Sequence, residues 1–212
     1  IPVQSYRHTH YQRDRTGYTA DFDFTSSFAG GENVVSGGLW IEDSTRLEYR
    51  DWHKLTDARV GIEFDQTPYW IQYNRDFNRE TTMWYVQDEF SVGQFTLSAG
   101  MRRFDVQNNE VDVFGVAAPE SLNSKSDSLL SGGATYQTPV DGLEVFIGYS
   151  ENVKPLLDLV LEREGTSAAD LEAEVAENME LGLRFVSPRF NASAVYFDNE
   201  FNNRLEFFGP QI

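Results

Sequence analysis

The chain contains no cysteine, so disulfides, thiolate catalysis and cysteine-ligated metals are all excluded. Long apolar runs are missing as well, and no stretch approaches the ~18 residues that a membrane helix needs. A β-barrel stays open, because its strands need only ~9–11 residues each and carry about half the apolar signal. Bases are scarce: 17 Lys and Arg stand against 34 Asp and Glu, a net charge of -17. Such a chain repels nucleic acid and anionic lipid surfaces, so neither is expected as a partner. Histidine is limited to His8, His10 and His53. His8 and His10 share one face of any strand, but no third ligand is evident nearby, and neither a metal nor a cofactor is expected. No export signal heads Ile1 to Tyr11, so an exported protein would have to be a mature or trimmed chain.

What the chain does have is alternation. Phe95, Leu97, Ala99 and Met101 interleave with Thr96, Ser98, Gly100 and Arg102, which puts every apolar group on one side of a period-two element. Tyr18, Ala20, Phe22 and Phe24 do the same against Thr19, Asp21, Asp23 and Thr25. Alternation alone does not separate a membrane barrel, apolar outward, from a soluble one, apolar inward.

The connections supply a direction. Short turns are expected at Ala29-Gly30-Gly31-Glu32-Asn33, Ser91-Val92-Gly93-Gln94, Thr138-Pro139-Val140-Asp141-Gly142 and Val186-Ser187-Pro188-Arg189. The segments Arg46–Glu80, Gln107–Ser126 and Glu151–Ala176 read as long loops, with a short helix expected over Thr166–Glu174. Outer-membrane barrels have short periplasmic turns and long extracellular loops, so the short turns are placed in the periplasm. Phe28, Phe90, Phe95, Tyr136 and Phe190 lie beside them, as an interfacial girdle would. Asp21, Asp23, Glu42, Asp88, Glu144 and Glu180 are expected to face the lumen, where they hydrate and brace it with Arg102 and Arg184.

Several passages then resemble TonB-dependent outer-membrane receptors. Tyr85-Val86-Gln87-Asp88-Glu89-Phe90 followed by Phe95–Arg102, Ser131–Tyr136 with the run Asp141-Gly142-Leu143 to Tyr149-Ser150-Glu151 and Pro155, Glu172–Arg184, and Ser193-Ala194-Val195-Tyr196-Phe197-Asp198 to Asn203-Arg204-Leu205 resemble that family's strand text in its own order. The match covers about Met83 to Phe207; the first eighty residues agree in strand pattern only. Ala173 stands where the family usually has proline, and Val153-Lys154 where it has an aromatic and a small or basic residue.

The resemblance implies an all-β, antiparallel transmembrane barrel in the bacterial outer membrane, of which residues 1–212 supply about ten strands from a wall of about 22. Plug domain and terminal strands are expected to lie outside these residues. It also implies outer-membrane lipid as surroundings, the TonB energy-transducing complex as a partner through the missing plug, and a scarce bulky nutrient as ligand: ferric siderophore, haem, cobalamin or oligosaccharide. No enzyme is expected, since no Ser/His/Asp ordering sits in motif context. A passive porin-like channel and a soluble carbohydrate-binding β-domain are the rival readings. For ligand contact, stacking rings and cationic donors converge in Tyr49, Arg50, Trp52, His53, Tyr69, Trp70, Tyr73 and Arg75.

Overall fold

The computed structural model describes residues 4–57, 59, 63–115, 117–156, 160–161 and 171–204. Ten antiparallel strands make one sheet: β1 (Ser5–Phe28), β2 (Gly31–Asp57), β3 (Glu63–Phe64), β4 (Trp70–Val92), β5 (Phe95–Asp112), β6 (Glu120–Lys125), β7 (Leu129–Gln137), β8 (Leu143–Lys154), β9 (Glu174–Val186) and β10 (Asn191–Asn202). Eight of them follow one meander, β1-β2-β4-β5-β7-β8-β9-β10, while β3 pairs with β2 and β6 with β5. β5 is shared: its residues Asp105–Glu110 pair with β6, and Phe95–Arg102 pair with β7.

The short turns sit where glycine and proline place them. Ala29 and Gly30 both take positive φ (53° and 81°), the combination that follows strand twist in a two-residue hairpin. Gly142 (φ 77°) is more constrained, because its carbonyl accepts the Val186 N–H at 2.8 Å and an added Cβ would collide with the Val186 carbonyl oxygen. Gly142→Ala should therefore cost about 1 kcal/mol or more in unfolding of the detergent-solubilised protein. A variant as stable as the parent would show that this turn rearranges freely.

Register tells the two faces apart. Phe24, Val35, Ala99 and Ala134 lie on one face with Phe22, Leu39, Ile41, Leu97, Ile147, Leu181 and Leu183, all of these last seven exposed. On the other face, side chains from β4, β5, β7, β8 and β9 line a single hollow of about 440 Å³, including Glu89, Ser98, Thr135, Glu144, Glu180 and Arg184. On this face side chains of strands that are not neighbours also meet, Arg102 on β5 with Glu151 and Asn152 on β8, and Phe77 on β4 in one core with Leu156 beyond β8, so the polar face is the concave one. That is the reverse of a soluble barrel, which closes around its apolar side. Among the described residues no helix is long and apolar enough to cross a membrane, which says nothing of crossing by strands.

At the turn end, Phe28 stacks on Phe90 and Phe95 on Tyr136, each at 4.8 Å between ring centroids, and Phe190 lies 6.4 Å from Phe185. The expected aromatic row is thus assembled across strand boundaries. Of the acids, Glu144 pairs with Arg184, Glu42 with Arg15, and Asp21 accepts the Tyr85 hydroxyl at 3.1 Å. Asp88 is a correction: it stands opposite Val35 and Ala99, on the apolar face. Arg102 reaches the Glu151 carbonyl and Asn152 rather than a carboxylate.

The segments read as long loops are largely strand. β2 runs on to Asp57 and β4 begins at Trp70, β5 reaches Asp112 and β6 returns from Glu120, so ladders continue well past the part that carries the apolar face. These extensions alternate between polar and aromatic groups, with no apolar face to betray the period. Of the expected helix, residues 166–170 lie outside the described residues. Leu171 to Ala173 are irregular, and Glu174 opens β9.

A small hydrophobic core lies on the concave face at the far end from the short turns. Phe77, Leu122, Leu156, Val160 and Leu161 pack there, with Leu171 against them. Asn108, 1% exposed, pins the chain after β8 by donating from Nδ2 to the Leu156 carbonyl at 2.9 Å.

Candidate functional site

β1, β2 and β4 rise side by side beyond this core, and their concave faces carry most of the residues singled out above. Arg50 faces Tyr73, Glu48 faces Arg75, and Trp52 faces both Arg7 and Trp70. A one-residue shift between Arg50 and Asp51 places Gln72 as the extra residue on β4, and its Oε1 accepts the Trp52 Nε1–H at 3.0 Å.

Six of the eight expected contact residues meet on this face. Trp52 stacks on Trp70 (6.0 Å) with the Arg7 guanidinium 5.9 Å above it, while Arg50 and Arg75 flank the Tyr73 ring at 4.7 and 5.1 Å. Tyr69 shares a hydrogen bond of 2.8 Å with Ser5 and lies under Lys54. Tyr49 and His53 do not join them, because they occupy alternate positions on β2 and point to the opposite face. Sequence reasoning passed over Arg7, Arg46, Glu48 and Lys54, which belong to the cluster. Arg7 and Lys54 would have followed from continuing the β1–β2 register outward from the Ala29-Gly30 turn.

The electrostatics of the cluster run against the chain as a whole. On a molecule of net charge -17, Arg7, Arg46, Arg50, Lys54, Arg75 and Arg79 share one face with Glu48, Glu110 and Asp112. Glu48 is buried, and it accepts the Tyr73 hydroxyl at 2.6 Å and Arg46 at 3.2 Å. Arg75 meets Glu110 at 3.2 Å, and Arg79 donates to Asn108 at 2.7 Å. Arg7, Arg50 and Lys54, by contrast, lie over rings, which leaves their charge for a ligand. Burial first, then the bond to Glu48, holds the Tyr73 phenol well above its ordinary range, so it stays a neutral donor through mild alkali. Tyr73→Phe should keep the ring beneath both arginines and leave ligand affinity unchanged. It should lower stability by about 1 kcal/mol through loss of the Glu48 bond. Loss of affinity in that variant would mean that the hydroxyl, not the ring, meets the ligand.

Such a face suits a large anionic guest with flat conjugated or sugar-like surfaces: guanidinium groups pair with carboxylate or phenolate oxygens, and indoles cover apolar area.

Comparison with known proteins places this geometry. The family model for TonB dependent receptor-like β-barrels matches residues 2–211. No curated protein sequence matches. Among solved structures, the unliganded ferric citrate transporter FecA superposes with a TM-score of 0.76 at 16% identity, covering 93% of this chain and 29% of that one. The ferric-catecholate import receptor Fiu from K12 E. coli in its closed form gives 0.66 at 17%, covering 94% and 33%. The alcaligin outer-membrane receptor FauA from Bordetella pertussis gives 0.64 at 17%, covering 98% and 32%. The chain thus spans about a third or less of these structures, and at this identity the likeness is one of fold. It belongs to the family of TonB-dependent receptor-like β-barrels, proteins of the bacterial outer membrane.

Proposed function

We propose that the chain is the ligand-facing wall of an outer-membrane receptor that captures a bulky anionic iron chelate and imports it with energy supplied through TonB. The observation that carries this reading is the cationic and aromatic concave face of Arg7, Arg50, Trp52, Tyr73 and Arg75 on an otherwise strongly acidic chain. Neutral oligosaccharide would use the rings but not the local excess of guanidinium groups. An anionic chelate uses both.

Several features agree with it. The outward band of Phe22, Leu39, Ile41, Leu97, Ile147 and Leu181 would meet lipid. The solved neighbours include proteins titled as a ferric citrate transporter and a ferric-catecholate import receptor. β1 and β10 are each paired on one side among the described residues, and open edges in lipid cost several kcal/mol per unpaired group, so further strands would complete the wall. The plug that contacts TonB would come from the rest of the receptor. The family is one of receptors and transporters, not of enzymes.

The test is a deletion strain under iron restriction, fed a panel of ferric catecholates, hydroxamates and hydroxycarboxylates. One class should restore growth only when both this gene and TonB are present. Restoration without TonB would favour a passive channel, and restoration by none of the panel would remove iron chelates as the ligand class.

A further inference from the structure

The convex face of the same arm carries a different constellation. An unbroken register counted outward from the Phe28–Gly31 pair sets His8 opposite Asp51 and Tyr6 opposite His53, so that His8, His10, Asp51 and His53 share one face. Three histidines converge on the Asp51 carboxylate, which also meets the Tyr49 hydroxyl: His53 Nε2 lies 3.3 Å from Oδ2, and His8 Nδ1 and His10 Nε2 lie 3.5 and 3.6 Å from Oδ1. Ligand atoms of His8, Asp51 and His53 all lie within 4.8 Å of one another.

The separations of His53 and His8 from the Asp51 carboxylate fit a shared cation better than they fit hydrogen bonds. N–H···O bonds cluster near ~2.9–3.0 Å. With zinc bonds of ~2.0–2.1 Å, tetrahedral ligand atoms stand roughly 3.3–3.4 Å apart.

The buried atoms reinforce this. His53 and Asp51 are only 4% and 6% exposed, yet His53 Nε2 and Asp51 Oδ1 make no hydrogen bond. His53 Nδ1 lies 2.6 Å from the Asp65 carbonyl, which can only accept, so Nδ1 carries the proton. In the neutral ring this leaves a bare lone pair on Nε2 directed at a carboxylate, two acceptors face to face. A backbone carbonyl holding the distal N–H is also how metal-bound imidazoles are oriented. Phe64 roofs the cluster, edge-on to His8 (5.1 Å) and His53 (5.4 Å) and stacked on Tyr6 (5.0 Å), which shields it from water.

We propose that His8, Asp51 and His53, with His10 at the rim, bind a zinc-class divalent cation on the outer surface of the β1–β2 arm. The ion would tie β1 to β2 and, through His53 and Asp65, fasten the returning segment at Phe64. It is separate from the iron-chelate face, which lies on the other side of the same strands. Its test therefore does not depend on the reading above.

The experiment uses the full-length receptor, purified in detergent, stripped with a chelator and equilibrated with Zn²⁺. The parent should retain one zinc equivalent more than Asp51→Asn or the His8→Ala/His53→Ala double variant. Competition against a chromogenic chelator should show at least a 100-fold loss of affinity at that site in those variants, and a smaller loss in His10→Ala. His8→Cys, which restores a zinc ligand at a half-exposed position, should recover binding and, with Co²⁺, show thiolate-to-metal absorption. Heat-modifiable gel migration confirms that each variant is a folded barrel. Equal zinc content in parent and Asp51→Asn, or a His8→Cys variant without the cobalt band, would overturn the site.

Discussion

Leu181→Arg should prevent assembly of the barrel or destabilise it by about 2–4 kcal/mol, the range for a basic side chain near the bilayer midplane on a lipid-facing strand position. Leu181 is 52% exposed and sits between Ile147 on β8 and Tyr196 on β10, five residues from the end of β9 at Val186. Its neighbour Glu180 lines the concave hollow instead. Glu180→Gln is thus the matched control and should fold normally. The measurement is urea unfolding into and out of lipid vesicles, read by heat-modifiable migration. Normal assembly of Leu181→Arg together with failure of Glu180→Gln would reverse the assignment of the two faces. That outcome would also revive a soluble domain.

The second large effect concerns the ligand. Replacing Arg7, Arg50 and Trp52 together by alanine should lower affinity for the active ferric chelate at least 100-fold, about 2.7 kcal/mol. Two charge-assisted contacts and one stacking surface are removed at once. The barrel itself should assemble as before, since Arg50 is held by Thr9 and the Tyr73 ring and Trp52 by Gln72 and its neighbouring rings, all beyond the part that carries the apolar face. The check is binding of the radiolabelled chelate to whole cells at 4 °C, where capture is separated from transport. Unchanged binding would move the site elsewhere. His53→Ala, on the opposite face, should leave the same measurement untouched.

That contrast shows where the sequence was legible. In the lower wall, apolar residues at every second position coincide with a sharp polarity boundary, so Phe95–Arg102 and Met179–Phe185 declare both strand and face. Turn glycines and prolines mark the ends for backbone reasons that need no tertiary context. Asp88 was misplaced because its type argued for the lumen, while parity with Phe90 and Val86 argued for the apolar face. Parity was the better guide. Farther out, Arg46–Asp57 carries charge and aromatic rings on both faces, and no hydrophobic period survives to mark it as strand. Taken as a loop it has no parity, so Tyr49 and His53 fell in with Arg50 and Trp52. Taken as a strand, the odd and even positions separate at once onto two faces. The approach of Asp51 to His8, across more than forty residues of chain, likewise follows only once the hairpin is known to continue unbroken from its turn.

The division of β5 between two partners has a bearing on how such receptors diversify. β6 belongs to an outer ladder with the far half of β5, and only after Ser126 to Ser128 does β7 take up the wall. An insertion or deletion within 113–125 would lengthen or shorten that outer leaf without shifting a single pair in the β5–β7 ladder below. The outer leaf can therefore change length and composition while the pairing of the wall beneath it stays intact.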